Sequence, residues 1–168
     1  MKVIETPRLL LRHLELHDAE FILELVNDPD WLRYIGDKKV KTVAEAHHYI
    51  ARGPRALYER LGFGLYLVEL RSTGEALGIC GLIKRDTLDD VDIGFAFLAR
   101  HGSRGYAREA AAATLDHGRR VLGLGRIVAI TVPDNASSIH LLEKIGLRRM
   151  REMRLAGADH DVLLFATP

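Results

Sequence analysis

Residues Val91–Ala110 read VDIGFAFLARHGSRGYAREA, and this stretch decides the fold class. Val91–Leu98 predicts a strand. A loop holding Gly102, Ser103 and Gly105 follows, and then a helix from about Gly105 to Leu122. That helix carries Ala107, Ala110, Ala111, Thr114, Leu115 and Gly118 at steps of three and four, a face of small residues that can approach a sheet closely. The first N–H groups of a helix have no internal partner and bear a partial positive charge, and glycines let a ligand come near the backbone. A strand, glycine loop and helix in this order therefore make an anion site suited to a phosphate or pyrophosphate. Arg100, Arg104 and Arg108, with His101, add positive charge around it. The same pattern also fits a plain strand-to-helix turn with solvated arginines. The chain contains no G-x-x-x-x-G-K-S/T, and its G-x-G at Gly123 and Gly125 follows a helix and precedes a strand, the reverse of a dinucleotide fingerprint.

Upstream, Phe63–Leu70 and Ala76–Lys84 join Val91–Leu98 as a meander of antiparallel strands, with turns at Ser72–Gly74 and Asp86–Asp90. Pro7–Leu14 reads as the first strand. Asp18–Asn27 has the apolar spacing of an amphipathic helix, which Asp28-Pro29-Asp30 ends. Thr42 and Glu45 have capping-box spacing and open a helix to Leu61, broken or kinked at Pro54. Downstream, Gly123–Gly125 stops the small-faced helix and Ile127–Val132 is a short buried strand. A helix from Asp134-Asn135 runs to Ile145, where Gly146 suits a left-handed C-cap. Arg148–Leu155 and Asp161–Ala166 close the sheet as a hairpin around Gly157. The expected architecture is one α/β domain over residues 1–168, with a central mixed, mostly antiparallel twisted sheet flanked by helices.

Composition sets further bounds. Of 168 residues, 48% are hydrophobic and 28% charged, the profile of a globular chain. The formal net charge of +1 provides no global field to recruit nucleic acid or an anionic membrane. Cys80 is the single cysteine, so no internal disulfide can form. The N-terminus lacks a signal-peptide core and no apolar run is long enough to span a bilayer, so a cytoplasmic protein, monomer or homodimer, is expected.

Gly102-Ser103-Arg104-Gly105-Tyr106-Ala107 resembles the acetyl-CoA signature Q/R-x-x-G-x-G/A of the GNAT superfamily of acyl-CoA N-acyltransferases. The flanking Ile93-Gly94-Phe95 and Glu109-Ala110 look like the branch that includes ribosomal-protein N-terminal acetyltransferases of the RimJ/RimL type. Three more segments are similar to that branch: Glu5–Arg12 to its opening strand, Asn135–Ser138 to its N-x-x-S motif, and Leu142–Leu147 to its LEK-x-GF ending. The sequence departs from the pattern in three places. Gly102 replaces the first Gln or Arg, Leu147 replaces a Phe, and Leu142 stands where many members carry a tyrosine that protonates the departing thiolate.

The resemblance implies a splay between the fourth strand, Val91–Leu98, and the fifth, Ile127–Val132. The pantetheine arm would pair with the backbone near Phe97 and Leu98, and the pyrophosphate would sit on the amides of Gly102, Ser103, Arg104, Gly105, Tyr106 and Ala107. Asn135 and Ser138 would face the arm from the other side. Acetyl would pass directly from acetyl-CoA to an amine, a peptide or protein N-terminus or a small molecule, with no metal. The alternative is an acyl-CoA-binding domain that has lost the chemistry.

Backbone N–H groups near Phe97 or Leu98 could serve as the oxyanion donor. Asp92 could take the amine proton, directly or through a water, and its alternative is a solvent-facing carboxylate at a strand edge. Ser138 could hydrogen-bond or protonate the thioester sulfur, or only satisfy a helix N-terminus, and Asn135 has the same two readings. Trp31 and Tyr34 are candidates for the acceptor pocket or for the core. Cys80, inside a strand, reads as a small hydrophobe.

Overall fold

The computed structural model describes residues 1–168. Eight strands form one sheet: β1 (Lys2–Glu5), β2 (Leu9–Arg12), β3 (Leu65–Leu70), β4 (Ala76–Ile83), β5 (Val91–Phe97), β6 (Ile127–Thr131), β7 (Arg148–Met153) and β8 (Val162–Ala166). Their spatial order is β1-β2-β3-β4-β5-β6-β8-β7. Every neighbouring pair is antiparallel except β5 and β6, which run parallel because the connection between them is a helical crossover. The predicted mixed α/β class is therefore observed.

The single predicted strand Pro7–Leu14 is instead the second half of a hairpin. Lys2–Glu5 pairs with Leu9–Arg12, and the Thr6 N–H donates to the Leu9 carbonyl across the turn at Pro7. The predicted fourth and fifth strands are thus β5 and β6. Helices α1 (Ala19–Val26), α2 (Pro29–Tyr34), α3 (Val43–Ile50) and α4 (Ala56–Leu61) lie between β2 and β3. Helix α2 occupies residues that read as a helix stop. The Asp28 carboxylate accepts from the Asp30 N–H and Pro29 sits at the first helical position, so the breaker ends α1 and starts α2. The Thr42 hydroxyl caps α3 at the Glu45 N–H. The predicted break at Pro54 is a π-type turn over Ala51–Arg55 between α3 and α4.

Side-chain alternation sorts the strands onto two cores. On one face Leu9, Val68, Ile93 and Phe165 pack with Ala110, Ala111 and Leu115 of α5 (Tyr106–Arg120). On the other, Leu67, Ile79 and Leu98 pack with Ile22, Leu25, Trp31 and Ile50. The small face of α5 decides how close it lies. A Cβ at Gly118 would stand 2.9 Å from Ile127 Cδ1 and 3.0 Å from Leu82 Cδ1, so a larger residue there must push these side-chain ends aside. Helix α6 (Ala136–Lys144) follows β6, and Gly146 takes φ +100° after it, as its C-cap position predicts.

Strands β5 and β6 pair only at Val91–Ile127 and Asp92–Val128. Each is held along its length by its outer neighbour, β5 by β4 over six positions and β6 by β8 over four, and past Asp92 and Val128 the two part.

Candidate active site

The parting exposes an edge of β5 in the middle of the sheet. The Leu98 N–H donates to the Leu77 carbonyl, toward β4. Backbone groups alternate along a strand, so those of Phe97 and Phe95 turn to the opened side. Leu98 therefore departs from the expectation that it pairs with the arm. Its amide is engaged and its side chain is buried in the core, so it offers no donor, whereas Phe97 lines the gap. A cavity of about 560 Å³ fills the gap and reaches both faces of the sheet. Ala107, Asn135 and Ser138 line it on the α5 and α6 side, and Trp31, Tyr34 and Asp92 on the side of α2 and α3.

Past the end of β5, the N–H groups of Ser103, Arg104, Gly105, Tyr106, Ala107 and Arg108 take no partner within the chain. Gly102 differs from the expectation, because its N–H closes a turn onto the Ala99 carbonyl at 3.0 Å. Ser103 and Gly105 adopt φ of +63° and +79°, which turns successive amides to one side as in an anion-binding nest. The charges around the loop are fewer than the sequence suggests. Arg100 is paired with Glu24 at 2.6 Å, and His101 is 8% exposed with Nε2 3.5 Å from Glu75. Arg104 and Arg108 keep their guanidinium groups free of ion pairs.

The opening segment clamps this loop. The Thr6 hydroxyl and the Arg8 N–H both donate to Glu109 Oε2, and Arg8 Nε donates to Oε1 at 2.7 Å. Arg8 Nη1 also donates to the Arg104 carbonyl at 3.0 Å, and its guanidinium lies over the Tyr106 ring. Glu109 thus ties β1–β2 to the first turn of α5, where a carboxylate also suits the helix dipole. Burial alone would raise the Glu109 carboxyl, but the bonds from Thr6 and Arg8 outweigh it and hold it below the ordinary range. A lowered folded-state pKa contributes stability above the unfolded value, and that contribution is lost as pH falls through the folded one. Solvent around the half-exposed Arg8 screens the pair, so Glu109→Gln is expected to cost about 1 kcal/mol at pH 7 and progressively less below about pH 4, as read by urea melts.

Asp92 is 1% exposed, not a solvent-facing edge residue. It pairs in register with Ile83, which brings Arg85, two residues beyond β4, over its carboxylate. Arg85 Nε donates to both oxygens, at 3.1 and 3.3 Å. Burial pushes the Asp92 carboxyl above its ordinary value, and Arg85 opposes the shift without cancelling it. That is the direction a carboxylate base needs. The Asn135 side chain accepts from the Ser138 N–H at 3.2 Å, so Asn135 is the cap of α6 and the Ser138 hydroxyl is left for the cavity it lines. Leu142 packs in the core. Trp31 is 5% exposed and belongs to the core as well as the cavity wall, while Tyr34 is half-buried at the wall.

Cys80 is fully buried with Sγ 3.4 Å from Thr114 Oγ1, and burial pushes its thiol up to about 12. Cys80→Ala is expected to keep most of the activity. Mass spectrometry after mixing the protein with acetyl-CoA alone is expected to show no acetyl on Cys80, and a stoichiometric thioester that an amine discharges would overturn direct transfer.

Sequence reading missed Lys38, Tyr49 and Arg85, which also line the cavity. Nothing local marks them, since they come from a loop, a helix and a strand end that only the fold brings together.

A family model described as an acetyltransferase (GNAT) domain matches residues 8–148. The chain is 34% identical to the uncharacterized protein YkkB of Bacillus subtilis over 153 residues, covering 89% of this chain and 87% of that one. Among solved structures, a GNAT-family acetyltransferase from Bacillus anthracis is 28% identical with a TM-score of 0.81, covering 99% of this chain and 97% of that one. RimL, a ribosomal L7/L12 α-N-protein acetyltransferase solved in complex with coenzyme A, aligns at TM-score 0.83 and 19% identity, covering 99% and 97%. At that identity the likeness is one of fold.

Proposed function

The chain belongs to the GNAT acetyltransferase family, whose members use acetyl-CoA, and from that premise we propose that it moves acetyl from acetyl-CoA to an α-amine at the N-terminus of a peptide or protein. The observation that carries the transfer is the parting of β5 from β6 beside a run of unpaired amides at the start of α5. Those amides, from Ser103 to Ala107, would receive the pyrophosphate, with Arg104 near them. The arm would follow the opened edge at Phe97, with Asn135 and Ser138 opposite. The thioester would then lie where the strands separate, next to Asp92.

In this reading the neutral amine attacks the thioester carbonyl carbon. The C–N bond forms, a backbone N–H of the opened edge stabilises the oxyanion, and the C–S bond then breaks. Asp92, or a water it holds, takes the proton from nitrogen, and the Ser138 hydroxyl supports the departing sulfur. Leu142 provides no acid, so Ser138 or solvent must.

Two points favour an α-amine. RimL, which shares the fold, is by name an α-N-protein acetyltransferase. An α-amine also titrates near 7.7–8.0, whereas a lysine side chain titrates near 10.4, so a site whose buried base is one arginine-paired aspartate suits the easier nucleophile. A small-molecule amine is the second reading. The test is a competition at equal concentration among peptides with free N-termini, N-blocked lysine peptides, amino acids and polyamines, following CoA release. N-terminal peptides are expected to lead. A tenfold higher kcat/KM for a polyamine or a lysine side chain, about 1.4 kcal/mol, would overturn the α-amine reading.

A further inference from the structure

Four charged side chains line the cavity: Asp30, Lys38, Arg85 and Asp92. Arg85 gives only its Nε to Asp92, and its two Nη groups make no hydrogen bond within the chain. Lys38 makes no ion pair. Lys38 is exposed overall although it lines the cavity, and partial desolvation followed by the charge of Arg85 lowers its ammonium. Asp30 forms no ion pair with either cation. The Tyr49 hydroxyl, on the same wall and close enough to feel the Arg85 charge, has no hydrogen-bond partner. The buried Asp92 carboxylate thus engages a single edge of Arg85 and makes no ion pair with Lys38. The remaining donors stand on the α2–α3 side of the sheet, at the end of β5 away from the amide loop.

Two cations that line one cavity favour an anion beside them, and the open fork of a guanidinium fits a carboxylate through two parallel hydrogen bonds. We propose that the acceptor carries a carboxylate within a few bonds of its reacting amine, and that Arg85 and Lys38 receive it. The proposal rests on the acetyl-transfer reading above and assigns anionic α-amines as the acceptor, from its peptide form or from its small-molecule alternative. The carboxylate belongs either to a free α-amino acid or to an acidic residue at the start of a peptide. A polyamine would bring further positive charge to the same donors.

The test compares matched acceptors by kcat/KM: serine with serinamide, and Asp-Ala-amide with Asn-Ala-amide, with spermidine alongside. At least one carboxylate member is expected to exceed its amide by tenfold or more. The ratio should fall toward one in Lys38→Gln and in Arg85→Lys, which keeps charge but loses the fork, and return in Lys38→Arg. A readout independent of turnover is calorimetric titration of the CoA-saturated protein with N-acetylserine and N-acetylserinamide. The acid is expected to bind at least tenfold more tightly, and Lys38→Gln should erase the difference.

Equal rates within both pairs, or spermidine as the best acceptor, would overturn the inference. If Asn-Ala-amide turns over as well as Asp-Ala-amide and serine shows no advantage, the carboxylate site falls and the peptide reading stands. If serine leads and both peptides are inert, the site stands and the peptide reading falls. If no acceptor turns over, the titration alone decides: selective binding of the acid upholds the site and equal binding ends it.

Discussion

Gly105→Val is expected to abolish stabilisation of the protein by acetyl-CoA and CoA. In the wild type, a ligand at ~100 times its Kd adds about 2.7 kcal/mol to the folded state. For a domain of this size that corresponds to roughly 5–11 °C in Tm. NAD and ATP should move Tm little, because the loop has neither the Walker nor the dinucleotide pattern. The physical basis is the backbone. Gly105 sits at φ +79° as the N-cap of α5, inside the run of unpaired amides. A valine there would be held in the left-handed region at a cost of about 1–3 kcal/mol, and its side chain would stand where the ligand must approach. A Cβ would also come within 3.3 Å of Arg8 Nη2, part of the clamp that holds the loop. The measurement is the ligand-induced shift of each variant against its own unliganded melt, so that loss of intrinsic stability is not read as loss of binding. Gly105→Asn is a useful second variant, since asparagine tolerates left-handed φ and separates blocking from strain. Full CoA binding by Gly105→Val would remove the basis for placing the pyrophosphate on this loop.

Asp92→Asn is expected to lower kcat by about 100-fold or more, the usual contribution of a general base, and to flatten the rise of rate with pH. In the wild type that rise should lie above the ordinary carboxylate range near ~3.9, because burial raises the Asp92 carboxyl and Arg85 only partly opposes it. The sign for stability is opposite to that of Glu109. A raised folded-state pKa gives stability that is full below the unfolded value and lost as pH rises through the folded one, so ionised Asp92 costs stability at neutral pH. Asparagine removes that cost while keeping the shape, and Arg85, partly exposed, can turn to solvent. The variant is therefore expected to stay folded, and a loss of rate would report chemistry. Ser138→Ala should lower kcat with little change in CoA affinity, because the Ser138 N–H, not its hydroxyl, closes the cap with Asn135. Wild-type rates in both variants would mean that positioning alone carries the reaction.

Local signals in the chain were enough for most elements. The alanine and glycine face of α5, the Thr42 cap, the break at Pro54 and the glycine after α6 depend on interactions within a few residues. Each occurs in the structure as the periodicity and capping chemistry predict. The misreadings lie where two local signals compete. Asp28-Pro29 stops one helix and starts another, and Thr6-Pro7 divides a strand pair that reads as one strand preceded by a loose end. Within the Gly102–Gly105 loop, the sequence could not tell which amides and arginines were already engaged. The bonds of Gly102 to Ala99, Leu98 to Leu77 and Arg100 to Glu24 depend on turns and on packing against α1.

What the sequence determined by itself was the α/β class, the order of most elements and the strand–loop–helix unit that carries the family signature, because helix and strand periods and end-capping are local properties. Only the tertiary structure decided that β5 and β6 share two paired positions and then part, since that depends on β4 and β8 holding them from outside. It also decided the charge at the α2–α3 end of the cavity. Lys38, Tyr49 and Arg85 are separated along the chain and meet only when α2, α3 and the end of β4 close around the cavity. The burial of Asp92 and the partner it finds there follow from that closure.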